Sequence, residues 1–186
     1  MIPFKPLSDE KIKPDPGKDF VDSLITPAPS REVRDSLRTF GRFVGSWQWS
    51  GFDYPDGGRR VPTRGTWIFE YVLQGHAIQD VFIFEDSHSS PKHHAFSEYG
   101  TTLRFPVGDG RTWKVVWVGP VNNVVRTFEA HAVGDDITLE GHNESGNPIR
   151  WVFSAITETS FHWRGEYSPD NGETWILYEE LDARRK

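Results

Sequence analysis

The chain has 186 residues, a length that suits one domain with a sizeable core. Its formal net charge of −6 argues against nucleic acid and anionic membranes as partners, and the absence of cysteine excludes disulfides, thiolate catalysis and Cys-ligated metals. Apolar content is modest at 36%, but 8 Trp and 13 Phe supply rings large enough to fill a barrel interior.

The N-terminus has no long apolar run, so neither a signal peptide nor a membrane span is expected, and the lack of cysteine fits a cytoplasmic setting. Residues 1–29 carry Pro3, Pro6, Pro14, Pro16, Pro27 and Pro29, a density that argues against regular helix or central strand. They read as an arm whose Ile2, Phe4, Phe20, Val21, Leu24 and Ile25 dock on the chain's own body or on a partner subunit. Such an arm would be a lid over a barrel mouth or a contact swapped between the two copies of a homodimer.

Residues 30–186 read as the folded domain. Ser30 is a candidate N-cap, and Val33, Leu37, Phe40 and Val44 follow at helical spacing, which predicts a short amphipathic helix plugging one barrel end. Strands are then expected over 47–52, 64–72, 76–84 and 95–105, the last with a bulge near Gly100. Further strands follow over 112–118 and 124–132.

From Asp136 to Leu181 four more strands alternate apolar with polar side chains, and Asp170-Asn171-Gly172 is a strong hairpin signal. One row is Ile137, Leu139, Ile149, Trp151, Phe153, Phe161, Trp163, Trp175, Leu177 and Leu181. The opposite row includes Glu140, His142, Arg150, His162, Arg164, Glu166, Tyr178 and Glu180. Turn lengths set Glu140 and Glu166 on either side of Arg150, as a charged ladder on the outer face. The class is therefore all-β: an up-and-down antiparallel meander of about ten strands, which closes into a barrel to remove its edges.

From about Phe40 to the C-terminus the chain resembles lipocalin-like bacterial proteins assigned to a domain of unknown function. The likeness is carried by Gly45-Ser46-Trp47, Leu73-Gln74-Gly75-His76-Ala77-Ile78-Gln79-Asp80 and Gly100-Thr101-Thr102-Leu103-Arg104. It continues through Trp113-Lys114-Val115-Val116-Trp117, Pro148-Ile149-Arg150-Trp151, Ser160-Phe161-His162-Trp163-Arg164 and Asn171-Gly172-Glu173-Thr174-Trp175. The resemblance implies a calycin-type barrel and no settled activity. Where relatives tend to carry Arg after the Leu-x-Gly turn this chain has His76, and the proline-rich arm is extra.

A barrel of this size commonly keeps a cavity for one small ligand. The first functional reading is a binder of a hydrophobic, aromatic or polycyclic molecule. Trp47, Trp67, Tyr71, Trp113, Trp117, Trp151 and Trp163 would line its site, and Arg104 would anchor a carboxylate or phenolate. The alternative is a cofactor-independent cyclase, isomerase or lyase in the same cavity.

For proton transfer the candidates are Asp80, which shares a strand face with His76 and would pair with it or with Arg104, and Glu129 with His131, which the register extended back from Ile137 turns inward beside Trp113 and Trp117. Asp86, His88, His93 and His94 are permissible zinc ligands but lack a compact spacing, so no metal is assigned. No phosphate loop, serine-hydrolase elbow or haem-ligand motif is present, and no cofactor is expected.

Overall fold

The computed structural model describes residues 19–55, 58–85 and 98–186. Two short helices and eleven strands follow in order: α1 (Phe20–Leu24), β1 (Ile25–Thr26), α2 (Arg38–Gly41), β2 (Gly45–Asp53), β3 (Val61–Val72), β4 (Ala77–Phe84), β5 (Tyr99–Val107), β6 (Thr112–Gly119), β7 (Val124–Val133), β8 (Asp136–His142), β9 (Pro148–Ser154), β10 (Ser160–Tyr167) and β11 (Ile176–Arg185). Strands β2 to β11 run antiparallel in the order β3-β2-β11-β10-β9-β8-β7-β6-β5-β4, and the β3–β4 pairing closes the cylinder. This is the lipocalin-like, up-and-down barrel expected from the strand count, with ten strands in the wall.

One end is plugged. The helix expected after Ser30 shrinks to the four residues of α2, although the Leu37 N–H to Val33 carbonyl bond (2.8 Å) and the Gly41 N–H to Leu37 carbonyl bond (2.7 Å) continue the helical path. Leu37, Phe40 and Phe43 bury completely inside the barrel end. Phe43, not Val44, makes the last inward contact, since the chain leaves its helical turn before Val44 and enters β2. The Phe40 ring sits 4.8 Å from the Trp113 ring, and Phe43 sits 4.9 Å from Phe161, both edge to face.

The described part of the arm docks at this same plugged end. Asp19 caps α1 through the Asp22 N–H (2.9 Å), in the one stretch between Pro16 and Pro27 that lacks proline, so a helix forms where the arm as a whole was expected to have none. Ile25 and Thr26 then pair with Val72 and Tyr71, beyond the point where β2 begins. The Ser30 N–H reaches the Gly75 carbonyl in the β3–β4 turn (2.8 Å). Residues 25–30 thus lie at the end opposite the open mouth, not over it. Residues 1–18 of the expected lid fall outside the described residues.

Three local registers depart from expectation. No bulge forms at Gly100: pairing runs unbroken from Ile83–Tyr99 to Ile78–Arg104, and the missing side chain instead makes room for the Trp117 ring. A bulge does occur between β10 and β11, at Gly165/Glu166, and it turns Tyr178 inward from the polar row. Strand β11 also runs on past Leu181 to Arg185, with Leu181 and Ala183 buried and Asp182 and Arg184 exposed. On the outer face, Glu140 and Glu166 do flank Arg150 in register, and Arg150 bonds Glu166 at 2.5 Å. Trp175, expected inside, precedes β11 and lies outside the wall against the Arg150 guanidinium, 4.0 Å from its ring centre.

Candidate functional site

Above the plug the interior stays open. A cavity of about 350 Å³ lies between the plug and the mouth, walled by side chains from nine of the ten barrel strands and closed below by Arg104. Five rings form a closed belt around it. Centroid separations run Trp67–Trp163 6.3 Å, Trp163–Trp151 5.6 Å, Trp151–Trp117 5.9 Å, Trp117–Phe82 6.2 Å and Phe82–Trp67 4.8 Å. Every junction is edge to face, so each ring presents a different aspect to the hollow.

At the floor, β4 and β5 bring Asp80 and Arg104 together as an ion pair with almost no exposed surface. Asp80 accepts the Thr102 N–H (2.9 Å) through one carboxylate oxygen and Arg104 Nη2 through the other. The Arg104 guanidinium lies over Phe40 (5.0 Å) and Phe69 (5.2 Å), so the plug and the pair support each other. Burial pushes the Asp80 carboxyl up and the Arg104 guanidinium down, and each opposes the shift of the other. A guanidinium does not give up its proton in this range, so the pair stays ionised.

Arg104 keeps its Nε and Nη1 groups buried without a hydrogen-bond partner, as does the indole nitrogen of Trp163 in the wall, while the Trp67 indole is directed at the Asp80 carboxylate and favours its charged form. A buried donor left unmade costs about 1–3 kcal/mol, and more when charged. The floor of the cavity is therefore an arginine with two buried, unmet donors.

The mouth has a different chemistry. Glu98 accepts from the Val121 N–H (3.1 Å), the Asn122 N–H (3.2 Å) and the Asn122 amide (2.8 Å), which pins the β6–β7 turn. Arg126 reaches Glu144 with two bonds of 2.9 Å. Tyr178 accepts the Trp151 indole N–H, and burial, with Glu179 nearby, raises its phenol. Glu179 on β11 lies directly across from Asp53 on β2. Burial first, and then the Asp53 carboxylate, holds the Glu179 carboxyl well above its usual range, and burial raises Asp53 to about 7.

Of the eight ligand-binding residues read from the sequence, Trp67, Arg104, Trp117, Trp151 and Trp163 line this cavity. Trp47, Trp113 and Tyr71 do not. Trp47 and Trp113 are buried in the plugged end, where their indole nitrogens donate to the carbonyls of Phe43 (2.6 Å) and Gly110 (3.2 Å). Tyr71 packs against Gly41 of α2.

Of the four proton-transfer candidates only Asp80 is interior. His76 sits in the turn before β4, half exposed, 3.7 Å from Glu32, because Leu73, Gln74 and Gly75 all take positive φ and end the strand pairing there. Glu129 and His131 turn outward, contrary to the inward register expected for them. The β6–β7 link is four residues long, so Trp117 pairs with Arg126 and Val115 with Phe128. That places Arg126, Phe128 and Ala130 inside and hands Glu129 to Lys114 on the outer face. The zinc-type residues Asp86, His88, His93 and His94 fall outside the described residues.

The sequence reading missed Asp53, Glu179 and Tyr178. Asp53 continues the inward row Trp47, Trp49 and Gly51 by one step beyond the expected strand end, and Glu179 has the parity of Leu181. Only the bulge at Gly165/Glu166 accounts for Tyr178, and its one mark in the sequence is a glycine inside the strand.

No protein-family model matches the chain, and no curated protein matches it. Solved structures do. The S-type phycobiliprotein lyase from Guillardia theta superposes with a TM-score of 0.57 at 13% identity, over 85% of this chain and 98% of that one. Rv2717c from M. tuberculosis gives a TM-score of 0.56 at 11% identity, over 81% of this chain and 97% of that one. At such identities the likeness concerns the fold, and together with the closed meander it makes this a lipocalin-like barrel of the calycin type.

Proposed function

We propose that this barrel binds a small aromatic molecule whose oxygen acceptor, a carboxylate, phenolate or carbonyl, is taken by Arg104. One observation carries the reading: a hollow of about 350 Å³, belted by five aromatic rings, whose floor holds an arginine with two unmet donors. Volumes of this order are typical of small-ligand pockets, and the edge-to-face belt supplies both apolar area and stacking surfaces. The paired Asp80 already balances the guanidinium charge, so a neutral carbonyl serves Arg104 as well as an anion does. With His76, Glu129 and His131 at the surface, binding has more support in the geometry than proton transfer between those groups. The phycobiliprotein lyase of the same fold is in keeping with a barrel that also hosts enzymes, but the cavity is what supports binding here.

The test is a titration of intrinsic tryptophan emission with 2-naphthoate. Saturable quenching is expected. In the double variant Asp80→Asn/Arg104→Gln, which removes both charges together, the affinity should fall at least tenfold while the fold is kept. Quenching that never saturates, or an affinity indifferent to the double variant, would overturn the assignment.

A further inference from the structure

The mouth of the cavity holds a second polar pole that the floor does not explain. Asp53 and Glu179 are direct cross-strand partners in the β2–β11 pairing, on the inward face of both strands. Like charges placed directly opposite one another repel, and here little water screens them: Asp53 is 2% exposed. The arrangement is stable when the two carboxyls hold one proton between them. Of the two, Glu179 lines the cavity and its Oε1 is buried without a partner, with Asp53 as its buried cross-strand neighbour.

The groups that face the pair are few. Arg126 of β7 acts electrostatically on Glu179, but its two carboxylate bonds go to Glu144. Tyr178 is occupied by Trp151, and Thr63 of β3, beside the mouth, has a buried hydroxyl and no charge. Glu98 is filled by the β6–β7 turn. No cation of the described chain pairs with Asp53 or Glu179.

We propose that Asp53 and Glu179 receive a basic nitrogen of the ligand at the mouth, while Arg104 takes an oxygen acceptor at the floor. The ligand class is then an aromatic compound with an acidic or carbonyl oxygen at one end and a protonatable nitrogen at the other. This rests on the binding role proposed above and narrows it. The floor donates, the mouth accepts, and the belt between them holds the ring system. When the ammonium group enters, the shared proton leaves to solvent, so binding releases a proton and tightens as the medium becomes less acidic.

Three probes separate the possibilities: 2-naphthoate, 2-naphthylmethylamine and 6-aminomethyl-2-naphthoate, each titrated between pH 5.5 and pH 8.5 by tryptophan emission and by calorimetry in two buffers of different ionisation enthalpy. The two-ended probe should bind at least tenfold tighter than 2-naphthoate at pH 8. Its affinity should rise at least tenfold from pH 5.5 to pH 8, with proton release visible as a buffer-dependent heat. In Asp53→Asn and Glu179→Gln the pH dependence and the advantage over 2-naphthoate should both vanish. If 2-naphthoate binds but the aminomethyl probe gains nothing and releases no proton, the role of the carboxyl pair is overturned and the binding role stands. If none of the three binds, both fall. The wild-type proton release decides the matter even where a variant folds poorly.

Discussion

The Tyr178 ring lies across Gly165, so closely that a Cβ on residue 165 would stand 2.6 Å from the phenol oxygen. The same phenol accepts the Trp151 indole N–H, so the small residue on β10 is what lets β11 and β9 meet over the cavity wall. Gly165→Ala should therefore push Tyr178 out of place and break that hydrogen bond. Overpacking of this kind costs about 1–3 kcal/mol. A lowered urea midpoint with an altered near-ultraviolet dichroism is expected, and a Gly165→Ala protein indistinguishable from wild type would show that the ring has room to move.

Asp80 and Arg104 should behave as one unit. Asp80→Ala leaves a guanidinium buried without its counter-charge, which costs about 3–5 kcal/mol. Removing both charges with residues of similar volume, Asp80→Leu/Arg104→Met, should recover most of that loss, since the desolvation cost disappears with the pair. Denaturant unfolding of the two singles and the double, read as a cycle, gives the coupling. Additive effects would mean that the two groups do not interact.

Acid should stabilise the mouth. Asp53 has a folded value of about 7 against an ordinary 3.8, and Glu179 shifts in the same direction. Between these limits the folded chain holds a proton that the unfolded chain has lost. That contribution is fully present below about pH 4 and is lost as pH rises through about 7. The melting temperature should fall from pH 5 to pH 8, and Asp53→Asn or Glu179→Gln should flatten the profile. The carboxylates held low by partners, Glu144 by Arg126 and Asp170 by Thr174, lose their contributions only in more acid solution, outside this window. A wild-type profile flat from pH 5 to pH 8 would count against the shared proton.

The outer-face residues supply the contrast. Glu129 pairs with Lys114, and His131 lies 3.8 Å from Glu140, all well exposed. Surface pairs of this kind contribute little. Glu129→Gln and His131→Ala should leave both the melting temperature and probe binding near the wild-type values. A marked loss of binding in either would place a site on the outside of the barrel.

The barrel and one of its ladders were legible because turn length and alternation fix which residues oppose. Glu140, Arg150 and Glu166 meet as their loops require. The outward orientation of Glu129 was not legible, because the register of β6 on β7 depends on a turn held by Glu98, a residue distant in sequence. Five of the eight proposed cavity residues line the hollow, and four of them, all tryptophans, could be found from aromatic alternation alone. The other three failed for one reason: the strand pattern says which face is inside but not how far down the cylinder the plug reaches. Leu37, Phe40 and Phe43 occupy the depth that Trp47 and Trp113 would otherwise share with a ligand.

The wall has a seam. Strand β2 follows the plug and pairs with β3 on one side, yet its other partner is β11, and Arg185 stitches the two by giving Nη1 to the Val44 carbonyl (2.8 Å), 141 positions away, while its guanidinium rests on Trp47. During synthesis the early strands therefore wait, with indoles uncovered, until the last one leaves the ribosome. Pairings so remote in sequence form late and slowly, because the loop entropy is spent before any contact is gained. The nascent chain is thus most prone to aggregation just before β11 arrives, and the rings that line the finished hollow are the surface that chaperones would have to shield.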